Sequence, residues 1–171
     1  MNKTHINQGV TYFNRYIDKA PDMDYLDVMQ FSSGKYLQNH IENLIAMGDQ
    51  VYAENKWTIR QILQHLIDTE RVFQYRTLRF ARRDGVKLPG FDENLFADNA
   101  IVKKDVQALV DEFDILRKSV ILMFESFSEE DLMSKGTAGE NEISVLSLSY
   151  ILAGHVIHHM DIIKERYFPL L

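Results

Sequence analysis

The chain has 171 residues, of which 46% are hydrophobic, and this is enough for one compact domain with a buried core. It contains no cysteine, which excludes disulfide bonds, thiolate metal sites and a cysteine nucleophile, so any metal must use histidine or carboxylate ligands. A formal net charge of −6 argues against broad surfaces for nucleic acid or anionic membranes, so small molecules or other proteins are the expected partners.

The N-terminal residues lack the apolar run of a secretory signal, and no stretch approaches the roughly 20 apolar residues that cross a bilayer. We therefore expect a cytoplasmic protein. Residues 1–171 are predicted to form a single domain, in which residues 1–32 are a short helical extension with amphipathic pieces at 10–17 and 25–31. Apolar residues then recur at three- and four-residue spacing from Tyr36 to Val51, which predicts a first long helix over residues 33–52.

A second helix is predicted to begin at Thr58, because Thr58 and Gln61 form a capping-box pattern. It is expected to end in residues 82–85, where Gly85 can adopt the left-handed conformation of a helix C-cap. Residues 85–102 show no helical periodicity and are long for a connection within a bundle, where about two to eight residues are common. Such a length indicates a crossover, which allows the next helix to run parallel to the second.

The third helix is predicted over residues 103–126, where apolar residues again recur at helical spacing. Ser128 begins a short helical turn, which is expected to stop in a loop at residues 136–139. Ser144 can then cap a fourth helix, whose inward face carries His155 and His159. No strand-like alternation of any length is present.

Three histidines carry the main chemical signal of the sequence. His155 and His159 are four residues apart and share the apolar face of the fourth helix. If the fourth helix runs antiparallel to the second, His65 lies at a similar depth in the bundle. Hydrogen-bonded core histidines are the alternative interpretation, but three buried imidazoles without a metal would be costly. The pattern therefore predicts one divalent metal ion on these three residues, with open positions for water or substrate.

Four further residues are candidates for an accessory role at this site. By helical angle, Thr69 lies closest to the His65 face, followed by Asp68. Arg76 and Arg166 project towards the core side of their helices and could bind an anionic substrate, although pairing with carboxylates is the alternative. No glutamate lies between the histidines of the last helix, so the zincin motif is absent, and the Glu-x-x-His of di-iron bundles is absent as well.

Residues 56–71, the segment Leu88-Pro89-Gly90-Phe91-Asp92 and the motif from Gly154 to His159 together resemble the DinB/YfiT-like superfamily over about residues 33–168. The resemblance implies an all-α four-helix bundle of up-down-down-up topology, with a long crossover between the second and third helices. The family's metal site uses one histidine of the second helix and a His-x-x-x-His pair of the last, which match His65, His155 and His159.

The resemblance also implies function. Relatives bind zinc or nickel and commonly form homodimers, and some are transferases that use a low-molecular-weight thiol. We therefore expect a divalent-metal-dependent enzyme whose three-histidine site activates a thiol cofactor or water for transfer or hydrolysis on a small molecule. The alternative is a non-catalytic, homodimeric bundle that binds a metal or another ligand. Metal-dependent turnover with a panel of thiols and electrophiles separates the two hypotheses.

Overall fold

The computed structural model describes residues 1–6, 12–100 and 102–171, so residues 10 and 11 of the first predicted amphipathic piece lie outside the described residues. An antiparallel hairpin of two short strands lies between the last two helices. In chain order the elements are α1 (Asn14–Lys19), α2 (Tyr25–Phe31), α3 (Gly34–Gln38), α4 (Ile41–Met47), α5 (Ile59–Ala81), α6 (Glu93–Asn99), α7 (Val106–Glu125), α8 (Glu129–Met133), β1 (Lys135–Ala138), β2 (Asn141–Ser144) and α9 (Val145–Ile162).

The predicted all-α four-helix bundle is confirmed. Its core is formed by α5, α7, α9 and the α3–α4 pair, while α1 and α2 pack on α9. Helix α9 is buried along most of its length and continues into a π-helical turn over Ile163–Tyr167. No helix within the described residues is long and apolar enough to cross a membrane.

The predicted helix starts follow from local capping. The Thr58 hydroxyl accepts a hydrogen bond from the Gln61 backbone N–H, and the Gln61 side chain accepts one from the Thr58 N–H at 2.8 Å. Likewise, the Ser144 hydroxyl accepts from the Ser147 N–H at the start of α9. These caps confirm the beginnings of the second and fourth predicted helices. These are the two helices that carry the three histidines.

The prediction of one continuous helix over residues 33–52 is wrong. The backbone leaves the helical conformation at His40, so α3 and α4 are separate helices, and α4 ends at Gly48 with a φ of 55°. Both helices pack against α7. Helix α3 approaches α7 closely at Gly34, whose N–H donates to Asp114, whereas Leu44 of α4 is fully buried in the core. Apolar spacing continues across the break, and therefore periodicity alone could not reveal it.

Two connections contain more structure than the sequence predicts. The crossover includes α6, whose N-terminus is capped by the Asp92 carboxylate. The predicted loop at residues 136–139 belongs mostly to β1, and its turn is made at Gly139, which has a φ of 60°. The crossover and hairpin are joined, because Leu88 donates to the Thr137 carbonyl at 2.8 Å and accepts from the Gly139 N–H at 2.9 Å.

Contacts along α5 give its direction relative to its neighbours. The Tyr167 hydroxyl donates to the carbonyl of Trp57, which lies just before α5, at 2.6 Å, so the end of the chain lies beside the beginning of α5. The Ser134 hydroxyl, close to the beginning of α9, donates to the carbonyl of Phe80 near the end of α5. Helices α5 and α9 are therefore antiparallel, which brings His65 level with the last turns of α9.

Pairs between α5 and α7 occur in the same order along both helices. Arg71 pairs with Glu112, and Gln74 donates to Ser119 at 3.1 Å, so α5 and α7 run in the same direction. A fully buried ion pair between Arg117 and Glu70 also joins these helices.

Candidate metal centre

Three histidine side chains meet between α5 and α9. The Nε2 atom of His155 lies 3.0 Å from Nε2 of His65 and 3.1 Å from Nε2 of His159. One ring nitrogen from each residue falls within a group whose members all lie within 4.8 Å of one another. Two nitrogens that bind one ion at about 2.0–2.1 Å with a tetrahedral angle are about 3.3 Å apart, so this arrangement is close to that of a shared ligand set.

Hydrogen bonds among the rings do not account for this arrangement. An imidazole nitrogen carries either one hydrogen or one lone pair, so the Nε2 atom of His155 can make only one well-aligned hydrogen bond to its two close neighbours. The other of these two short distances then contains no hydrogen bond, so a nitrogen is left without a hydrogen-bond partner there. A cation between the three nitrogens satisfies all three lone pairs at once, and the chemistry of the residues present therefore fits a divalent metal ion.

The surroundings of the three rings also favour the neutral, unprotonated imidazole that metal binding requires. Burial lowers the pKa of His65 to about 4. The pKa values of His155 and His159 are held well below the usual 6.5, first by burial and then by the neighbouring histidines. Neutral rings leave a lone pair available at neutral pH.

The same pKa shifts predict acid sensitivity of the metal-free protein. His65 has a lower pKa folded than unfolded, so the unfolded chain binds more protons between pH 6.5 and about 4, and stability falls as the pH falls through this range. From pH 7.5 to 5, we expect His65 alone to lower the free energy of unfolding by about 2 kcal/mol. Urea unfolding in the presence of a chelator measures this loss, and His65→Gln should reduce it. An identical pH dependence in His65→Gln would contradict the prediction.

A cavity of about 490 Å³ opens beside the three histidines, and its size suits a small molecule. The wall is built from α1, α5 and α9 together with the crossover and the hairpin. Six aromatic side chains contribute to it: Tyr12, Phe13, Tyr16, Trp57, Phe73 and Phe91.

Two of the four accessory candidates line this cavity. The Thr69 hydroxyl is buried and has no hydrogen-bond partner among the described residues, so it is free to bind a ligand. Arg76 also lines the cavity. Asp68 lies instead in a surface groove beside α6, where it accepts a hydrogen bond from Gln64 at 2.8 Å. Arg166 lies outside the cavity, is 58% exposed and pairs with its neighbour in the sequence, Glu165.

For several residues that line the cavity, the sequence predicts no role at the site. Tyr16 packs edge-on against His155, with ring centroids 5.0 Å apart, and Trp57 lies 5.0 Å from the His65 ring. Arg15 and Glu93 bring a positive and a negative side chain to the wall. These residues belong to segments outside the long helices. Only Glu93 follows a recognisable signal, the N-cap residue Asp92, which could have identified α6.

Comparison with known proteins assigns the family. A family model of the DinB superfamily matches residues 12–163. The chain belongs to the DinB superfamily. This DinB protein is 28% identical over 117 residues to a protein of Oceanobacillus iheyensis that is named as a candidate metal-dependent hydrolase, and the match covers 67% of each chain.

A solved structure shares the fold of this DinB protein. It is similar, with a TM-score of 0.76 and 15% identity, to YfiT from Bacillus subtilis, which is described as a probable metal-dependent hydrolase with an unusual four-helix bundle topology. The similarity covers 96% of this chain and 92% of YfiT. The DinB/YfiT-like resemblance stated from sequence is thereby confirmed, and the three histidines of this DinB chain lie together as the family motif implies.

Proposed function

We propose that this protein is a divalent-metal-dependent enzyme that hydrolyses a small molecule or transfers a group to or from it. The observation that carries the proposal is the convergence of three neutral histidine nitrogens on the wall of a cavity large enough for such a molecule. The names of the two similar proteins agree with it, since one is named as a candidate and the other is described as a probable metal-dependent hydrolase. Zinc and nickel are the proposed ions, because imidazole suits both.

The residues of the chain have separate roles in this proposal. His65, His155 and His159 hold the ion, and Tyr16 and Trp57 pack against two of these rings and restrict their orientation. When bound, the ion supplies Lewis acidity, which lowers the pKa of a nucleophile and polarises the group under attack. Glu93 is the carboxylate residue of the described cavity wall, and it can accept a proton from a nucleophile that enters.

The nucleophile is water or a small thiol. The hydrolase names of the similar proteins favour water, whereas the chain itself supplies no thiol because it lacks cysteine. Turnover of a panel of esters, amides and alkyl electrophiles, each with and without added thiol, distinguishes hydrolysis from thiol transfer. A protein that holds metal and turns over none of them supports the non-catalytic alternative.

Metal content tests the site directly. Elemental analysis of the untagged protein, reloaded with zinc or nickel and desalted, should give about one ion per chain. His65→Ala, His155→Ala and His159→Ala should each retain less than about a tenth of that, because two imidazoles hold an ion far more weakly than three.

His40→Ala is the matched control. The His40 ring packs near Tyr36 and Phe168, outside the cluster, so the variant should keep the full metal content. Undiminished metal in the three cluster variants would refute the site. The homodimer that the resemblance implies stays a prediction, which light scattering of the same samples tests.

A further inference from the structure

Arg76 is a buried, positively charged residue that the proposed metal chemistry does not use. Its side chain lies on the cavity wall and is only 4% exposed. One guanidinium nitrogen, Nη2, donates to the Pro89 carbonyl at 2.9 Å, and the group lies over the rings of Phe73 and Phe91 at 4.8 and 5.7 Å. Nε and Nη1 make no hydrogen bond within the described residues, although a guanidinium carries five N–H donors.

Among the described residues, no carboxylate forms an ion pair with Arg76. Most of the described arginines form an ion pair, and the exceptions are Arg15, Arg76 and Arg82. Two of these exceptions, Arg15 and Arg76, line the same cavity, although the chain as a whole has a net charge of −6. Glu93, on the same wall, forms no ion pair with Arg76 within 4 Å among the described residues. The cavity is therefore positive before any metal ion is added.

A buried cation without a partner is unfavourable for folding. Moving a charged group out of water costs several kcal/mol unless an opposite charge or hydrogen bonds compensate it. Arginine keeps its charge when it is buried, so it cannot avoid this cost by releasing its proton. The bond to Pro89 helps to fix the crossover, but it occupies only one of the donors. The remaining donors match the planar, two-oxygen geometry of an anion.

We propose that the cavity takes an elongated small molecule whose carboxylate or phosphate group pairs with Arg76 while its reacting group lies at the three histidines. The position of the reacting group rests on the proposed function, whereas anion binding at Arg76 does not. Arg76 follows His65 by 11 residues on α5, which is about 16 Å along the helix axis. Helical side chains lean towards the N-terminus, so the guanidinium and the histidines are separated by on the order of 10 Å.

The test uses metal-free protein, so that an anion cannot bind through a metal ion. The probes are 4-phenylbutyrate, its neutral amide 4-phenylbutyramide, and phenyl phosphate, and binding is measured by calorimetry and by the shift in thermal midpoint. We expect at least one anion to bind about tenfold or more tightly than the amide, because only the anion pairs with the guanidinium. The stronger of the two anions identifies the carboxylate or the phosphate class.

Two variants separate anion binding from a structural role. Arg76→Met should lose the preference for the anion, and its thermal midpoint without ligand should equal or exceed that of the wild type, because an uncompensated buried charge is removed. Arg82→Met is the matched control. Arg82 also lacks an ion pair, but it is exposed, lies near the Phe127 ring and is not part of the cavity wall, so the preference should remain.

Several outcomes would overturn the proposal. If neither anion binds the wild type more tightly than the amide, or if the preference is unchanged in Arg76→Met, anion recognition by this arginine is excluded. If Arg76→Met does not fold, Arg76→Gln serves instead and should lose the preference, because glutamine keeps a hydrogen-bond donor but carries no charge. An unchanged preference in Arg76→Gln would then assign Arg76 a structural role. Metal stoichiometry is measured separately, so failure of the metal site and failure of anion binding are distinguishable.

Discussion

Gly154→Ala is expected to destabilise the protein and to release the N-terminal helix α1, although alanine is the better helix former. A Cβ atom at position 154 would lie 1.8 Å from the carbonyl oxygen and 2.6 Å from the carbonyl carbon of Tyr16. Both are backbone atoms, so α1 has to move away from α9. Tyr16 packs against His155 and lines the cavity, and this movement would therefore also disturb the three-histidine cluster.

The experiment is informative because the stability change expected for Gly154→Ala is opposite in sign to the usual effect of alanine in a helix. Replacing glycine by alanine within a helix ordinarily stabilises it by about 1 kcal/mol, whereas overpacking costs about 1–3 kcal/mol or more. We expect a net loss in the free energy of urea unfolding and faster tryptic cleavage after Arg15 and Lys19, which lie in α1. Gly90→Ala is the control, because a Cβ atom there meets nothing within 4 Å. A Gly154→Ala protein as stable as the wild type would contradict this packing.

Arg117→Met should cost about 3–5 kcal/mol of stability, a large part of the 5–15 kcal/mol typical of a domain. Arg117 is fully buried and forms two hydrogen bonds to Glu70, at 2.7 and 2.9 Å. It also donates to the Ser32 hydroxyl at 2.7 Å and to the Leu152 carbonyl at 3.3 Å, so one side chain joins α7 to α5, α9 and the residue after α2. Its removal leaves the Glu70 carboxylate buried without a partner.

A double-mutant cycle tests this explanation. Arg117→Met with Glu70→Leu removes both charges, so the pair should be much more stable than the sum of the single losses predicts. The measurement is urea unfolding followed by circular dichroism. Additive losses would show that the cost comes from packing and not from an unpaired carboxylate. The surface pair of Lys87 and Glu140 is the matched control, because an exposed pair should contribute about 0–1 kcal/mol.

The sequence predicts the parts of the fold that depend on local interactions. The capping residues Thr58 and Ser144 and the apolar spacing of the long helices identify α5, α7 and α9. The four-residue spacing of His155 and His159 places them on one face, and the antiparallel arrangement adds His65. These features can be predicted because each depends on residues close together in the sequence. The exception is the place of His65, which also needs the inference that the two helices are antiparallel.

Features that depend on contacts between distant segments could not be predicted. Arg76 and Arg166 both project inward on an ideal helix, yet only Arg76 lines the cavity. The π-helical turn over Ile163–Tyr167 has more residues per turn than an α-helix, and this changes the direction of Arg166. Tyr16 reaches the site because α1 crosses α9 at Gly154. No local sequence pattern predicts that α1 crosses α9 there.

The three clustered histidines and another part of the cavity wall belong to different kinds of structure. The histidines stand on α5 and α9, whereas Gly90, Phe91, Ala138 and Gly139 come from the joined crossover and hairpin. Insertions and substitutions in such connections are tolerated far better than changes to packed helices. The shape of the cavity can therefore be altered through these connections while the three imidazoles keep their places.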